Sequence, residues 1–345
     1  MSQARGRRLS PPLAFLAFSC LCHPSAAQAQ DSETLGPETV PRRCVAHVIS
    51  VPLVSGWGSP AVPVTINGTQ GVAFLGLTQE NIGVFQRPGM TYPMGRKLDV
   101  QTIAGGGHSY LTTIDSLALG RGRAGKVRGI MLGSIGDRRL DGRPVLAVLG
   151  YDILGNYDVL LDFPGQSLTL FRETGAPNCP ALTRLAGARA YQAPLLPNRE
   201  GMDTMVQVAI GGVPVGMELE PGSNASILRT ADATDTGVTP SMLDDDPRSR
   251  TDAGPTIIGR RHAFARYVLG GYRGTGLLAD VTPATTNILG MNFFRGRRVL
   301  FAFPTRMLYF SDPQPPPPGM PADGGFSPAQ SRLAETTVQD QPAPP

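Results

Sequence analysis

Val64-Thr65-Ile66-Asn67-Gly68, followed by the apolar run 71–75 (GVAFL), has a counterpart in Val208-Ala209-Ile210-Gly211-Gly212, followed by 215–219 (VGMEL). Each stretch alternates apolar residues, breaks at a Gly-containing two-residue turn and resumes as a second strand, which is a β-hairpin pattern. Working outward, Val148-Leu149-Gly150-Tyr151-Asp152-Ile153-Leu154 corresponds to 287–294 (NILGMNFF). Val159–Phe163, Pro164 and Leu168–Phe171 correspond to Val299–Phe303, Pro304 and Met307–Phe310. Even the preludes agree, Val51-Pro52-Leu53-Val54 against Ala193-Pro194-Leu195-Leu196. The features keep one order at offsets near 140 residues, which predicts a duplicated lobe.

The period-two patterning, with 42 Gly and 33 Pro in 345 residues, predicts an all-β fold with only short helices. One short helix is expected after each apolar-Gly pair, at 151–155 and 291–295. Between the repeat's ends, Leu98–Ile103, the tip 104–107 (AGGG) and Tyr110–Leu119 read as a hairpin with a permissive tip. Thr251–Pro255 and His262–Leu269 are its looser counterpart in the second half.

The first residues read as a secretory signal. Arg5, Arg7 and Arg8 precede an apolar stretch at 13–22, and Ala27-Gln28-Ala29 fits a cleavage site. The apolar stretch is too short to span a bilayer. Export to a periplasmic or extracellular space is expected. Removing 1–29 takes away three Arg and no acid, so the net charge falls from +4 to +1. No clustered basic face of the kind nucleic acid needs remains. Cys44 and Cys179 are then the two cysteines left, a disulfide candidate in an oxidising compartment. Residues 30–43 read as a leader, 44–180 and 181–312 as the two lobes, and 313–345, with its proline run 315–318, as a disordered tail. The three histidines outside the leader show no metal-ligand spacing, and no motif for a cofactor stands out.

The duplicated order resembles that of the retropepsin/pepsin-like aspartic proteases, in their compact bacterial two-lobed form. The resemblance covers roughly Cys44 to Phe310. It implies a two-lobed acid-protease barrel fold, a single chain acting as a monomer, and a cleft between lobes. It also implies a site at the end of each second hairpin strand, where the family carries Asp-Thr/Ser-Gly. There this chain has Gly76-Leu77-Thr78 and Glu220-Pro221-Gly222. Counting from the hairpin glycines Gly68 and Gly212 places Gly76 opposite Glu220. Family chemistry needs two carboxylates sharing one proton across a two-fold axis. Here one lobe offers none, and Leu77 and Pro221 lack the hydroxyl that ties the two loops together. A literal Asp235-Thr236-Gly237 follows a polar stretch and reads as a local turn at a helix end. The leading reading is therefore a non-catalytic binder of an extended peptide or another ligand. The alternatives are an atypical endopeptidase using Glu220 with an acid such as Asp99 or Asp115, and a structural envelope protein.

Overall fold

The computed structural model describes residues 40–252, 256–316 and 335–339. The expected signal segment 1–29, most of the leader and most of the expected tail lie outside them. The described residues belong to one compact unit, Glu33–Pro345.

In chain order the first half supplies β1 (Val45–Pro52), β2 (Ala61–Ile66), β3 (Thr69–Leu75), β4 (Gly83–Gln86), β5 (Lys97–Thr102), β6 (Gly105–Leu119), β7 (Gly122–Ser134), β8 (Arg139–Leu140) and β9 (Arg143–Leu149). Helix α1 (Tyr151–Leu154), β10 (Asp158–Asp162) and β11 (Ser167–Glu173) complete it. After α2 (Thr183–Ala186) come β12 (Ala190–Pro194), β13 (Leu196–Pro197), β14 (Asp203–Ile210), β15 (Val213–Leu219) and β16 (Ser226–Arg229). Helices α3 (Thr230–Asp235) and α4 (Pro240–Asp244) lead to β17 (Arg248–Asp252), β18 (Thr256–Leu269), β19 (Tyr272–Thr282) and β20 (Ile288–Leu289). Helix α5 (Met291–Phe294), β21 (Arg298–Ala302), β22 (Met307–Ser311) and β23 (Glu335–Gln339) close the list.

The sheets show the repeat directly. One runs β2-β3-β9-β4-β7-β6-β5, and another contains β14-β15-β20-β16-β19-β18-β17, the same order strand for strand. Each closes on itself by a further pairing, β2 with β6 and β14 with β18. In each, the hairpin's second strand runs parallel to the strand before the apolar-Gly turn, with Leu75 beside Leu149 and Leu219 beside Leu289. The hairpins turn through Asn67-Gly68 (φ 48° and 81°) and Gly211-Gly212 (φ 60° and 92°). Positive φ at both turn residues matches the twist of the flanking strands, and Asn and Gly tolerate it. The structure is thus all-β with short helices and a duplicated pepsin-like lobe, as the sequence predicts.

A third sheet, β1-β11-β10-β21-β22-β12, reads the same from either end under the repeat. At its centre Leu160 pairs with Leu300, its own repeat counterpart, so a pseudo-two-fold axis passes between them. Two residues along, Asp162 faces Arg298, and their side chains form an ion pair at 2.6 Å. Below this sheet a continuous core includes Val159, Leu161, Val299, Phe301, Phe303 and Phe310. Each such side chain stabilises by about 1.5–3 kcal/mol when fully buried. Arg297 is buried in this region, its guanidinium 4.4 Å from the Tyr272 ring and 4.7 Å from the Phe293 ring, with carbonyls of Phe293 and Ser311 as acceptors.

Two details differ from the sequence reading. The second lobe's counterpart of the β5–β6 hairpin begins earlier, at Arg248. Within 313–345, Glu335–Gln339 forms a strand beside β17. Its residues, Glu-Thr-Thr-Val-Gln, are free of Pro and partly β-branched, a strand-competent piece hidden in a Pro-rich average.

Candidate functional site

The two loops at the ends of β3 and β15 are built alike. The Gly76 N–H donates to the Leu149 carbonyl at 3.0 Å, and the Glu220 N–H to the Leu289 carbonyl at 3.1 Å. Three residues on, Gln79 and Ser223 donate back to Gly76 and Glu220 and accept from Tyr151 and Met291 at 2.7 and 2.8 Å. Gly76 and Glu220 therefore occupy one position in two copies of the same loop. Each loop packs on the following apolar-Gly turn. A Cβ on Gly150 would lie 2.5 Å from the Asn81 carbonyl carbon, and one on Gly290 would lie 2.1 Å from the Ala225 oxygen. No side chain fits there, which is why glycine stands in both.

Glu220 is buried and fully used. Its Oε2 accepts the Thr78 N–H at 3.0 Å and the Thr78 hydroxyl at 2.8 Å, and its Oε1 accepts the Gly222 N–H at 2.6 Å. Thr78 belongs to the first lobe's loop, so the carboxylate bridges the two lobes. Beside it the Ser59 hydroxyl donates to the Gly222 carbonyl at 2.9 Å, again across the lobes. Burial raises the Glu220 pKa to about 7, against the lowering effect of its three hydrogen bonds; the nearby Glu218 raises it further. Glu218 is itself raised, chiefly by burial, while accepting from the Thr286 hydroxyl at 2.7 Å. At the position equivalent to Glu220, Gly76 contributes no side chain; Leu77 is fully buried, and Pro221 carries no N–H.

The absent hydroxyls at Leu77 and Pro221 do not leave the loops untied. Thr78, one residue after Leu77, and Ser59, before β2, supply the interlobe bonds instead. Sequence reasoning missed both. Thr78 was visible as the polar end of Gly76-Leu77-Thr78, but its partner lies 142 residues away.

The other acids stay apart. Asp99 is exposed and pairs with the His108 Nδ1 at 2.8 Å; Asp115 is exposed and pairs with the Lys126 Nζ at 2.5 Å. Neither is among the hydrogen-bond partners of Glu220. Asp235 ends α3, Thr236 caps it by donating to the Ala233 carbonyl, and Gly237 takes φ 94°, the expected helix-end turn. Cys44 and Cys179 are disulfide-bonded, with Cα atoms 5.7 Å apart, joining the start of β1 to the segment after β11. Among the described residues no group of three or more His, Cys, Asp or Glu side chains is placed to hold a metal ion, and no helix is long and apolar enough to cross a membrane.

The first-lobe ribbon reaches across. The Thr285 N–H donates to the Ile103 carbonyl at 3.0 Å, and its hydroxyl to the Thr102 carbonyl at 2.9 Å. Thr285 lies in the second lobe, between β19 and β20, and Thr102 and Ile103 lie at the tip joining β5 to β6.

No curated protein matches the chain. The aspartyl protease family model matches residues 206–293, from within β14 through the Glu220 loop to the Gly290 turn and α5. Over that segment the chain is similar to aspartyl proteases, with Glu220-Pro221-Gly222 at the end of the second hairpin strand.

Proposed function

We propose that the chain is an exported, non-catalytic protein on an aspartyl-protease-like fold, holding an extended peptide in the groove between its lobes. One observation carries this reading: the Glu220 carboxylate is consumed by Thr78 and Gly222, and its equivalent in the other loop is Gly76, which has no side chain. A lytic dyad needs two carboxyls sharing a proton, one to take the proton of the attacking water and one to hold the substrate carbonyl. Here the position that would complete the dyad has no side chain, and the remaining carboxylate ties the lobes together. The first-lobe ribbon bonds to Thr285 of the second lobe, and extended peptides are suited to strand-lined grooves of the kind this fold implies. Export rests on the pattern at 1–29; a Cys44–Cys179 bond suits an oxidising compartment.

The test is incubation of the mature protein with a diverse peptide library from pH 3 to 8, with and without a pepstatin-like inhibitor, alongside direct binding of the same peptides. Binding without inhibitor-sensitive cleavage is expected, unchanged in Glu220→Gln as far as cleavage is concerned. Inhibitor-sensitive hydrolysis that Glu220→Gln abolishes would overturn the reading. It would favour instead an atypical endopeptidase, which the pKa of about 7 at Glu220 makes chemically accessible near neutral pH.

A further inference from the structure

The outer face of the first lobe carries a trough of about 450 Å³ where β2, β6 and β7 run side by side. Thr65 of β2 pairs with Ala118 of β6, and Ala118 pairs with Arg123 of β7; in the next row Ser116 pairs with Gly125. Thr65, Ser116 and Ala118 alternate with Ile66, Leu117 and Leu119, which are buried in the core, so the trough lies on the face turned away from it. The fold does not require this hollow. In the second lobe the same rows read Ala209–Val268–Arg273 and Arg266–Thr275. Bulkier residues stand there in place of Ala118, Ser116 and Gly125, so the small floor belongs to the first lobe's sequence and not to the architecture.

Arg123 forms one wall, and its guanidinium is held in place. Its Nη1 donates to the Gly120 and Gly122 carbonyls at 2.7 and 2.9 Å, which leaves Nε and Nη2 with no acceptor among the described residues. Those two groups form the planar edge that meets both oxygens of a carboxylate. A fork already fixed by its own turn loses less freedom on binding. The Thr65 and Ser116 hydroxyls also have no partner among the described residues, while the Ser116 main chain is fastened to Asn67 at 2.9 and 3.0 Å. The surrounding charge has one sign. Residues 111–130 hold four cations, Arg121, Arg123, Lys126 and Arg128, and one acid, Asp115. Asp115 answers Lys126 at 2.5 Å, and Arg121 and Arg128 make no ion pair among the described residues.

The lining also selects the occupant. The trough is open to solvent, so it suits a chain lying across it better than a small molecule that has to be enclosed. None of the residues lining it is aromatic, so it offers no platform for a stacked base. We propose that this trough binds an acidic segment of another polypeptide, with one carboxylate seated on the Nε–Nη2 edge of Arg123. Thr65 and Ser116 supply further donors, and Arg121 and Arg128 draw the segment in. The site is separate from the interlobe groove and does not depend on the reading given above.

The experiment uses the full chain at low salt and two fluorescent peptides, one of four Glu-Ser repeats and one of four Gln-Ser repeats, with short-chain polyphosphate as a third probe. The Glu peptide is expected to bind at least about tenfold more tightly than the Gln peptide. Arg123→Gln should lower that affinity about tenfold, and Arg123→Lys should not restore it, because an ammonium presents no fork. Arg123 also braces its own turn, so a second variant leaves it untouched. Ala118→Val with Gly125→Thr fills the trough with the residues that the second lobe carries in the same register, and it changes no charge. A Cβ on Gly125 would come no nearer than 3.5 Å to its surroundings, an ordinary contact. This variant too should bind the Glu peptide about tenfold more weakly, whereas Arg128→Gln, outside the trough, should cost no more than about threefold. Equal binding of the two peptides, or binding of neither, would overturn the proposal, as would an affinity that survives the filled trough. Polyphosphate that outbinds the Glu peptide and is indifferent to the filling would assign these cations to general attraction of anions, and would overturn it as well.

Discussion

Glu220 concentrates the consequences of a single buried carboxyl. Its folded pKa lies near 7, above the unfolded value of 4.5. Its contribution to stability is therefore fully present below the unfolded value and is lost as pH rises through about 7. A separation of that size corresponds to about 3 kcal/mol between acid and alkaline conditions. Glu220→Gln removes the ionisation but also removes an acceptor, leaving either Gly222 or Thr78 donating to nothing, at about 1–3 kcal/mol. Thermal melts across pH should then show the variant less stable than the parent at pH 5 and the gap narrowing by pH 8; parallel curves would contradict the burial of an ionising group. Asp158, buried in the interlobe sheet, is raised by burial and by Glu173 to about 6 and acts in the same sense. Thr78→Ala should cost about 1–3 kcal/mol in denaturant unfolding, because it strips a hydroxyl from a buried acceptor, whereas Thr78→Ser should restore most of it. At this scale the sequence was only half legible. Counting from Gly68 and Gly212 identified Gly76 and Glu220 as equivalents, since local hairpin chemistry fixes that count. It gave no hint that Thr78 and Ser59 lace the loops, because a contact between distant residues leaves no local pattern.

At the scale of elements, the apolar-Gly turns are the most constrained pieces. The φ values at Gly150 and Gly290 are −90° and −101°, open to any residue, so it is space and not conformation that excludes a side chain. Gly150→Ala and Gly290→Ala should each drive a methyl into backbone atoms of the preceding loop. Neither loop can yield without moving Gly76 or Glu220. A loss of at least ~2 kcal/mol is expected from chemical denaturation for each, larger for Gly290, where the approach is closest. A Tm unchanged in either variant would mean the loop yields freely. The disulfide acts on the element that opens the chain. It closes a loop of 135 residues, and the chain-entropy model assigns such a closure about 5 kcal/mol. Cys44→Ala with Cys179→Ala should lower the denaturation midpoint by a corresponding amount, read with the parent reduced and oxidised as controls. These elements were legible in the sequence because each is a short run whose chemistry admits one local structure: alternating strands, a two-residue Gly turn, an apolar pair before Gly. The strand at 335–339 was not, because its tail is dominated by the prolines around it and its partner strand lies far back in the chain.

For the molecule as a whole, the repeat makes two lobes and the sheet through Leu160 and Leu300 joins them, so what distinguishes the halves is what reaches between them. One such reach is the first-lobe ribbon. From Leu111 onward β6 is braced by β7, whereas residues 97–110 pair as β5 with β6, with the Ser109 hydroxyl donating to the Met131 carbonyl of β7 at 2.7 Å at the ribbon's base. A two-stranded ribbon is marginal in water unless something holds it. Here Thr285 of the second lobe holds it through one main-chain and one hydroxyl donor, to Ile103 and Thr102. Thr285→Ala removes the hydroxyl bond and keeps the main-chain one. A neutral hydrogen bond contributes about 1 kcal/mol, so the opened population of the ribbon should rise roughly fivefold. Amide hydrogen exchange should quicken by that factor at 98–109 and stay unchanged at 111–119, while Thr285→Ser should behave as the parent. On the proposed reading a peptide enters beneath this ribbon and has to lift it, so its association rate should rise in Thr285→Ala in step with exchange. Exchange that quickens with no change in association would place the peptide elsewhere on the molecule, and exchange that does not quicken would show that the ribbon is held by something other than Thr285.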